Sequence, residues 1–395
     1  MIKHVKKNWL LYKDSLIATV LVYVVAIGLK NVPFNSHLFD PISSSLEDFE
    51  FSDLLYSRFQ SPTKVDTNII IVDVANLNRE EIGKVIQRVK AFEPGVIGLD
   101  LIFQHSTGQD SLLVSSLDQD IVYACYLEGF EDDLKCFGKA ITTGITNEKR
   151  IEGFTNFVAG PASTVRTFKP QTCYNGDSLL AFPVSIAKQF NIDAYKALGL
   201  RDAPLEIINY TGGQKSYSTL TSPEALSMNL EFVKGKIVLI GLLSPDYGTP
   251  VFEDLHFTPL NKKYSGKTFP DAYGVVIHAN VISMILEEEY INKSGWIQYV
   301  LAMLIGLIHM VLFTHYFANH ERHMWYHLIA KLAQLVTSVL FIFLSLILLA
   351  KMNYKLDVTL TVFVIALSID FLYFYEAWAK FLNVKFGYKT IHSNE

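Results

Sequence analysis

Charge is scarce in this chain. Asp, Glu, Lys and Arg make up 18% of its 395 residues, against about a quarter in an ordinary soluble domain. Half of the residues are hydrophobic, which excludes a disordered or collagen-like chain. The formal net charge is −5, so the basic excess of a nucleic-acid binder is missing. Three cysteines are too few for a disulfide scaffold. No GxGxxG or GxxxxGK(S/T) loop, no HExxH helix and no GxSxG elbow occurs. The signatures of dinucleotide, nucleotide, zincin and serine-hydrolase chemistry are therefore absent. No internal repeat and no low-complexity segment is present.

What the chain has instead is four long apolar runs: residues 9–29, 296–317, 328–350 and 357–378. Each is close to the roughly 20 residues a helix needs to cross about 30 Å of hydrocarbon. The first contains SLIATVLVYVVAIGL and the third LVTSVLFIFLSLILLA. Four transmembrane helices are predicted. No small-x-small cleavage site follows the first run, which continues LKNVPFNS; it reads as an uncleaved anchor rather than a signal peptide. Lys3, Lys6, Lys7 and Lys13 precede it, and Lys380, Lys385 and Lys389 follow the last run. By the positive-inside bias both ends (residues 1–8 and 379–395) are expected in the cytoplasm. Lys351 and Lys355 then fall on the outer side, the weakest point of that orientation.

Residues 31–295 are expected to form one extracytoplasmic domain. They hold 22 basic and 33 acidic residues, a net of −11, whereas the remaining segments carry 12 basic and 6 acidic, a net of +6. About 265 residues are enough for a real core. DTNIIIVDV, ending near Asp73, reads as a buried strand. NREEIGKVIQRVKAF puts Ile82, Val85, Ile86, Val89 and Phe92 on one helical face, with Glu80 and Glu81 in the first turn and Pro94-Gly95 as the stop. GVIGLDLIF reads as the next strand, which makes a βαβ unit with parallel strands. DIVYACYL, LEIINY and GKIVLIGLL are further strands, LLAFPVSIAKQF a helix broken or entered at Pro183, and VVIHANVISMILEEEYI a helix. Residues 251–273 read as a long loop. The fold class is α/β: a mixed, largely parallel sheet with flanking helices, plus the four membrane helices.

The order of these pieces carries a resemblance. An anchor, a βαβ opening with GLDLIF, a late GKIVLIG strand, an HFTPL loop and GVVIHANVISMIL before three helices resemble the second class of CHASE-type sensory extracellular domains, over about residues 50–350. The resemblance implies a sensory module in a bacterial inner membrane, with its main domain periplasmic. Such domains usually feed a cytoplasmic output. Here only 17 residues follow the last run, and the loop after the first strand reads ANLNREE without the family's usual serine, tryptophan and arginine. The expectation is therefore a non-enzymatic receptor-like protein acting through envelope or cytoplasmic partners in trans, or as a homo-oligomer, in contact with membrane lipid and not nucleic acid. The alternative is a structural or scaffold subunit of a multi-protein cell-envelope complex.

Candidate chemistry is sparse, and no cofactor or metal is expected. Asp73 and Asp100 end two parallel strands, where ligands bind in open α/β sheets. They could hold a hard cation, though local capping and pairing are the commoner roles for such residues. His278 and Asn280, near the start of the VVIHAN helix, could face the same crevice, with His278 titrating near neutral pH; a core histidine is the commoner outcome. Cys125 and Cys136 could bridge outside the cytoplasm; Cys136–Cys173 is the other pairing, and three free thiols the third possibility. In the membrane segments, His309, Thr337, Ser338 and Asp370 fall at about one depth, roughly 12 Å in. They read as a polar clamp, a docking point for a partner helix, or a proton relay.

Overall fold

The computed structural model describes residues 2–31, 50, 52–59, 65–108, 110–132, 135–145, 150–159, 164–243, 254–262, 270–320 and 325–392. The chain divides into two compact units. One is residues 41–291; the other joins residues 1–40 to 292–395.

After helix α1 (Ile2–Asn31), which belongs to the second unit, the first unit opens with strand β1 (Asp66–Asp73), helix α2 (Arg79–Lys90) and β2 (Val96–Leu99). Helix α2 starts where Asn78 and Glu81 form a capping box, each side chain satisfying the other's free amide. Then come α3 (Ser111–Ser116), β3 (Ile121–Glu131), β4 (Cys136–Ile141), β5 (Ile151–Phe154), β6 (Val158–Ala159), β7 (Val165–Phe168), β8 (Gln171–Tyr174) and β9 (Asp177–Leu180). Helix α4 (Phe182–Phe190) is entered, not broken, at Pro183, which sits in its first turn, where a missing N–H costs nothing. Next are α5 (Ile192–Gly199), β10 (Glu206–Ile207), β11 (Tyr217–Leu220), α6 (Ser222–Ser227), β12 (Ile237–Gly241), β13 (Leu255–His256), β14 (Ala272–Tyr273) and α7 (Gly274–Glu287).

The main sheet has nine strands in the order β11-β1-β12-β2-β3-β4-β8-β9, with β5 also paired to β3. From β11 to β3 every pairing is parallel; β3–β4 and β8–β9 are antiparallel. The two strands of the opening βαβ unit are parallel but not adjacent, because β12 inserts between them. The expected strand LEIINY shrinks to β10, which pairs antiparallel with β7 in a separate three-stranded sheet. The expected loop 251–273 contains two short strands: β13 and β14 pair antiparallel, while residues 251–253 and 263–269 lie outside the described residues.

The β-branched strands are buried on both faces, as a sheet covered on both sides requires. Ile70, Val72, Val238 and Ile240 pack with Val85, Ile86 and Val89 of α2. The alternate residues Ile69, Ile71, Ile237 and Leu239 pack with Phe182 and Ile186 of α4 and Val275, Ala279 and Ile282 of α7. The unit is thus a three-layer α/β/α sandwich.

The cysteine expectation is corrected. Cys136 bonds to Cys173, and Cys125 is a buried free thiol. Strand β3 runs six residues past Cys125, so Cys136 lies opposite Glu131 while Cys125 lies opposite Phe154. Strand β4 then pairs with β8 beside Cys173. Burial pushes the Cys125 thiol up to about 12.

The other unit is four helices long and apolar enough to span a membrane: α1, α8 (Ile297–His320), α9 (Tyr326–Met352) and α10 (Thr359–Phe386). A short parallel pair, β15 (Asn292–Lys293) with β16 (Tyr354–Lys355), ties the segments before α8 and after α9. Ala18, Val22, Ala302, Met310, Leu360 and Val364 share one core. Gly306 lets α8 close on α10, since a Cβ there would sit 2.6 Å from Val364 Cγ1. Helix α10 runs beyond the apolar stretch 357–378 to Phe386, where Gly387 takes a left-handed turn (φ 69°). Residues 379–386 are therefore helix, and backbone hydrogen bonding carries it on after the apolar run stops.

Candidate functional site

The carboxyl ends of β1, β12 and β2 form one edge of the sheet, and α7 begins there. Asp73 lies opposite Gly241 across the β1–β12 pair. Asp100 follows β2, its amide donating to the Ile240 carbonyl at 2.8 Å. The two residues therefore flank β12, their backbones about 10 Å apart at the strand spacing. Asp73 is committed locally: its Oδ1 accepts from the amides of Ala75 (2.9 Å) and Leu243 (3.1 Å). It closes the turn after β1 and fixes the exit of β12. Burial raises its pKa and these two amides oppose the rise.

Asn280 is likewise a clamp. Its Oδ1 accepts from the amides of Thr211 and Gly212, and its Nδ2 donates to the carbonyls of Gly212 and Val276. It pins residues 211–212 to α7 and does not join the carboxylates.

Asp100 and His278 do come together. His278 Nε2 stands 4.0 Å from Asp100 Oδ2, and both side chains are nearly enclosed. Two residues that the sequence reading missed complete the cluster. Asp254, in a left-handed turn (φ 65°), accepts the Gly274 amide at the start of α7, at 3.1 Å, and lies 3.1 Å from His256 Nε2. A Cβ at position 274 would meet the Asp254 carboxylate at 2.6 Å, so a larger residue there would displace that side chain. Phe157 stacks on His278 and meets His256 edge-on, both with centroids at 4.8 Å; Phe182 covers another side of His278. The signal for Asp254 and His256 was topological: the segment joining β12 to α7 has to pass this edge.

The result is a half-open Asp254–His256 pair above a buried Asp100–His278 pair. Burial holds Asp100 well above the usual carboxylate range, and the Asp254 carboxylate adds to the rise. Burial pushes His278 down to about 3. Both groups therefore favour their neutral forms. His278 Nδ1 is buried with no hydrogen-bond partner, an arrangement that costs about 1–3 kcal/mol unless something fills it. Among the described residues, no three His, Cys, Asp or Glu side chains are arranged to hold a metal ion.

In the helical unit, His309 Nε2 meets Thr337 Oγ1 at 3.0 Å. Ser338 takes no part in that bond. Asp370 is elsewhere: it pairs with Lys331 of α9, at 2.8 and 3.1 Å, on an exposed face. Two inward polar groups escaped the sequence reading. Gln334 donates to the Ile365 and Ala366 carbonyls and to Ser368. Asp14, fully buried, accepts from Tyr375, Thr390 and the Ile391 amide. Asp14 adjoins the basic flank of the first run and looks like part of it.

The chain joins a covered α/β sandwich with a polar cluster at one sheet edge to four helices, among the described residues, that are long and apolar enough to span a membrane. The CHASE2 domain family model matches residues 22–314, about three quarters of the chain, and the chain belongs to this family of sensory extracellular domains. Neither a curated protein nor a solved structure matches it.

Proposed function

We propose that the protein is a non-enzymatic receptor in a bacterial inner membrane. Residues 31–295 face the periplasm, and both chain ends face the cytoplasm. The α/β unit recognises a small polar ligand or a protein segment at the edge formed by Asp100, Asp254, His256 and His278, and the bound state is passed to partner proteins. The observation that carries this reading is the buried, partnerless Nδ1 of His278 beneath a half-open Asp254–His256 pair. It is a polar group held out of water at the sheet edge where α/β proteins bind ligands. Family membership supplies the sensory class.

The test uses the full chain in lipid nanodiscs, with thermal unfolding followed against a panel of amino acids, sugars and phosphorylated metabolites. At least one compound is expected to raise the unfolding midpoint of the wild type but not of Asp254→Asn or His256→Ala. A response that both variants retain in full would refute the site. Orientation is checked separately: cysteines placed at position 4 and at position 393 should be shielded from an impermeant thiol reagent added to intact cells.

One observation favours a second reading, a scaffold subunit of an envelope complex. The rings of Phe157 and Phe182 pack against His278, and Asp73 and Asn280 are tied up in holding loops. Cross-linking in native membranes that captured a fixed set of envelope proteins, combined with silence across the whole ligand panel, would favour it.

A further inference from the structure

Several polar groups of the helical unit turn inward. Asp14, Gln334 and the His309–Thr337 pair are enclosed and bonded. The Lys331–Asp370 pair faces outward, its side chains 50% and 58% exposed. It is not at the membrane surface. Asp370 lies eight residues before Trp378 and Lys331 six after Trp325, roughly 12 Å and 9 Å inside those interfacial aromatics. Leu328 and Leu335 stand one turn either side of Lys331, and Phe374 and Trp378 one and two turns past Asp370, all exposed; the other polar contact beside it is His327 with Tyr373, one turn away on the same two helices. An ammonium keeps donors, and a carboxylate keeps lone pairs, that one contact does not use. Hydrocarbon offers them nothing, so ionisable groups at this depth face protein.

We propose that this α9–α10 face binds a second copy of the chain, each Lys331 lying between its own Asp370 and that of the other copy. The charge pattern selects the occupant. A cation and an anion side by side are self-complementary about a twofold axis. Two copies inserted with the same topology are related by an axis along the membrane normal, which preserves depth. Groups that already meet at one level within a copy therefore meet at that level between copies. A helix carrying one charge would pair with only half of the site, and a lipid headgroup would sit at the level of the tryptophans. Apolar area cannot drive this association in lipid, so the ion pairs and close packing must.

Two experiments in native membranes test the interface. Oxidative cross-linking of Phe374→Cys should give a covalent dimer. Leu340→Cys should not, because nine residues from Lys331 puts it on the opposite side of α9. Next, differently tagged Lys331→Asp and Asp370→Lys chains should each fail to associate with themselves but co-purify at least tenfold better with one another. Should the reversed charges impair insertion, the Lys331→Leu/Asp370→Leu chain inserts without charge. In the Phe374→Cys background it should lower dimer yield roughly tenfold, near the upper range for interhelical polar contacts, while its thermal midpoint holds or rises. Undiminished cross-linking in that double variant would overturn the proposal. So would equal cross-linking from Leu340→Cys, or a foreign membrane protein held at Asp370 in place of a second copy.

Discussion

The two units use opposite classes of residue to specify their structure. In the α/β unit, apolar side chains do the sorting. Ile69 and Ile71 go to one face of the sheet and Ile70 and Val72 to the other, because each face is driven out of water. Polar groups are left at the sheet edge and in the loops. In the helical unit apolar residues cannot sort faces, since lipid accepts them as readily as protein does. Leu335, Val336 and Leu340 of α9 are all more than half exposed. The polar residues decide instead: Asp14, Gln334 and His309 fix which helix surfaces meet. The same side chain therefore carries different information in the two solvents.

The sharpest way to separate the units is the Cys136–Cys173 bond, since the helical unit contains no cysteine. Its partners are 37 residues apart, and loop-closure entropy for that length corresponds to about 4 kcal/mol. Replacing both cysteines with serine should lower the unfolding transition of the α/β unit and leave that of the helices in place, as read by calorimetry of the full chain. A helical transition that moved equally would show that the units unfold as one. The buried Cys125 thiol should resist labelling until that transition.

Asn280→Ala should come next, at about 3 kcal/mol, because it strands the buried amide of Gly212 and the amide of Thr211. Denaturant unfolding of the full chain measures it; a loss below about 1 kcal/mol would mean that water replaces the clamp.

The cluster should also write a pH signature on the α/β unit. Folded His278 charges only near 3, whereas an unfolded histidine charges near 6.5. Over that window the folded state binds fewer protons. The contribution of His278 is thus complete above about pH 6.5 and is lost as pH falls towards 3, at up to about 1.4 kcal/mol per pH unit. Asp100, held above the usual carboxylate range, acts in the opposite sense, losing stability as pH rises from about 4. Asp254 and His256 face His278 as well. Between pH 6.5 and 5 the midpoint of the wild type should fall by the equivalent of up to about 2 kcal/mol, and His278→Leu should flatten that slope. An unchanged slope would assign it to other groups.

These features differ in how far the sequence reveals them. Asp73, Asp100 and His278 could be placed because each sits on an element with a clear period: β-branched runs for the strands and a 3.6-residue repeat for α7. What period cannot give is strand order. The insertion of β12 between β1 and β2 separates Asp73 from Asp100, and it depends on long-range packing. Asp254 and His256 lie in a segment without any period. In the membrane helices, depth was legible for His309 and Thr337 because rise per residue is constant. Facing was not, because uniformly apolar helices have no polar side to mark. Asp370 could be assigned a depth but not a direction, and Lys331, its partner, was not singled out.

The smallest expected effect tests the comparison most directly. Gln334 is as central to its unit as Asn280 is to the other, donating to two carbonyls and to Ser368. Yet Gln334→Leu should cost only about 1 kcal/mol, the scale of interhelical polar contacts in membranes. The carbonyls of Ile365 and Ala366 keep their partners within α10, so removing the amide orphans none of the backbone. Leucine then fills the space with a side chain of similar length. Asn280→Ala, by contrast, orphans amides that no ladder supplies. Thermal unfolding of both variants in the same nanodiscs compares them: an effect of Gln334→Leu as large as that of Asn280→Ala would mean that polar groups bear on the bundle as heavily as on the sandwich, and the contrast between the two solvents would fail at its centre.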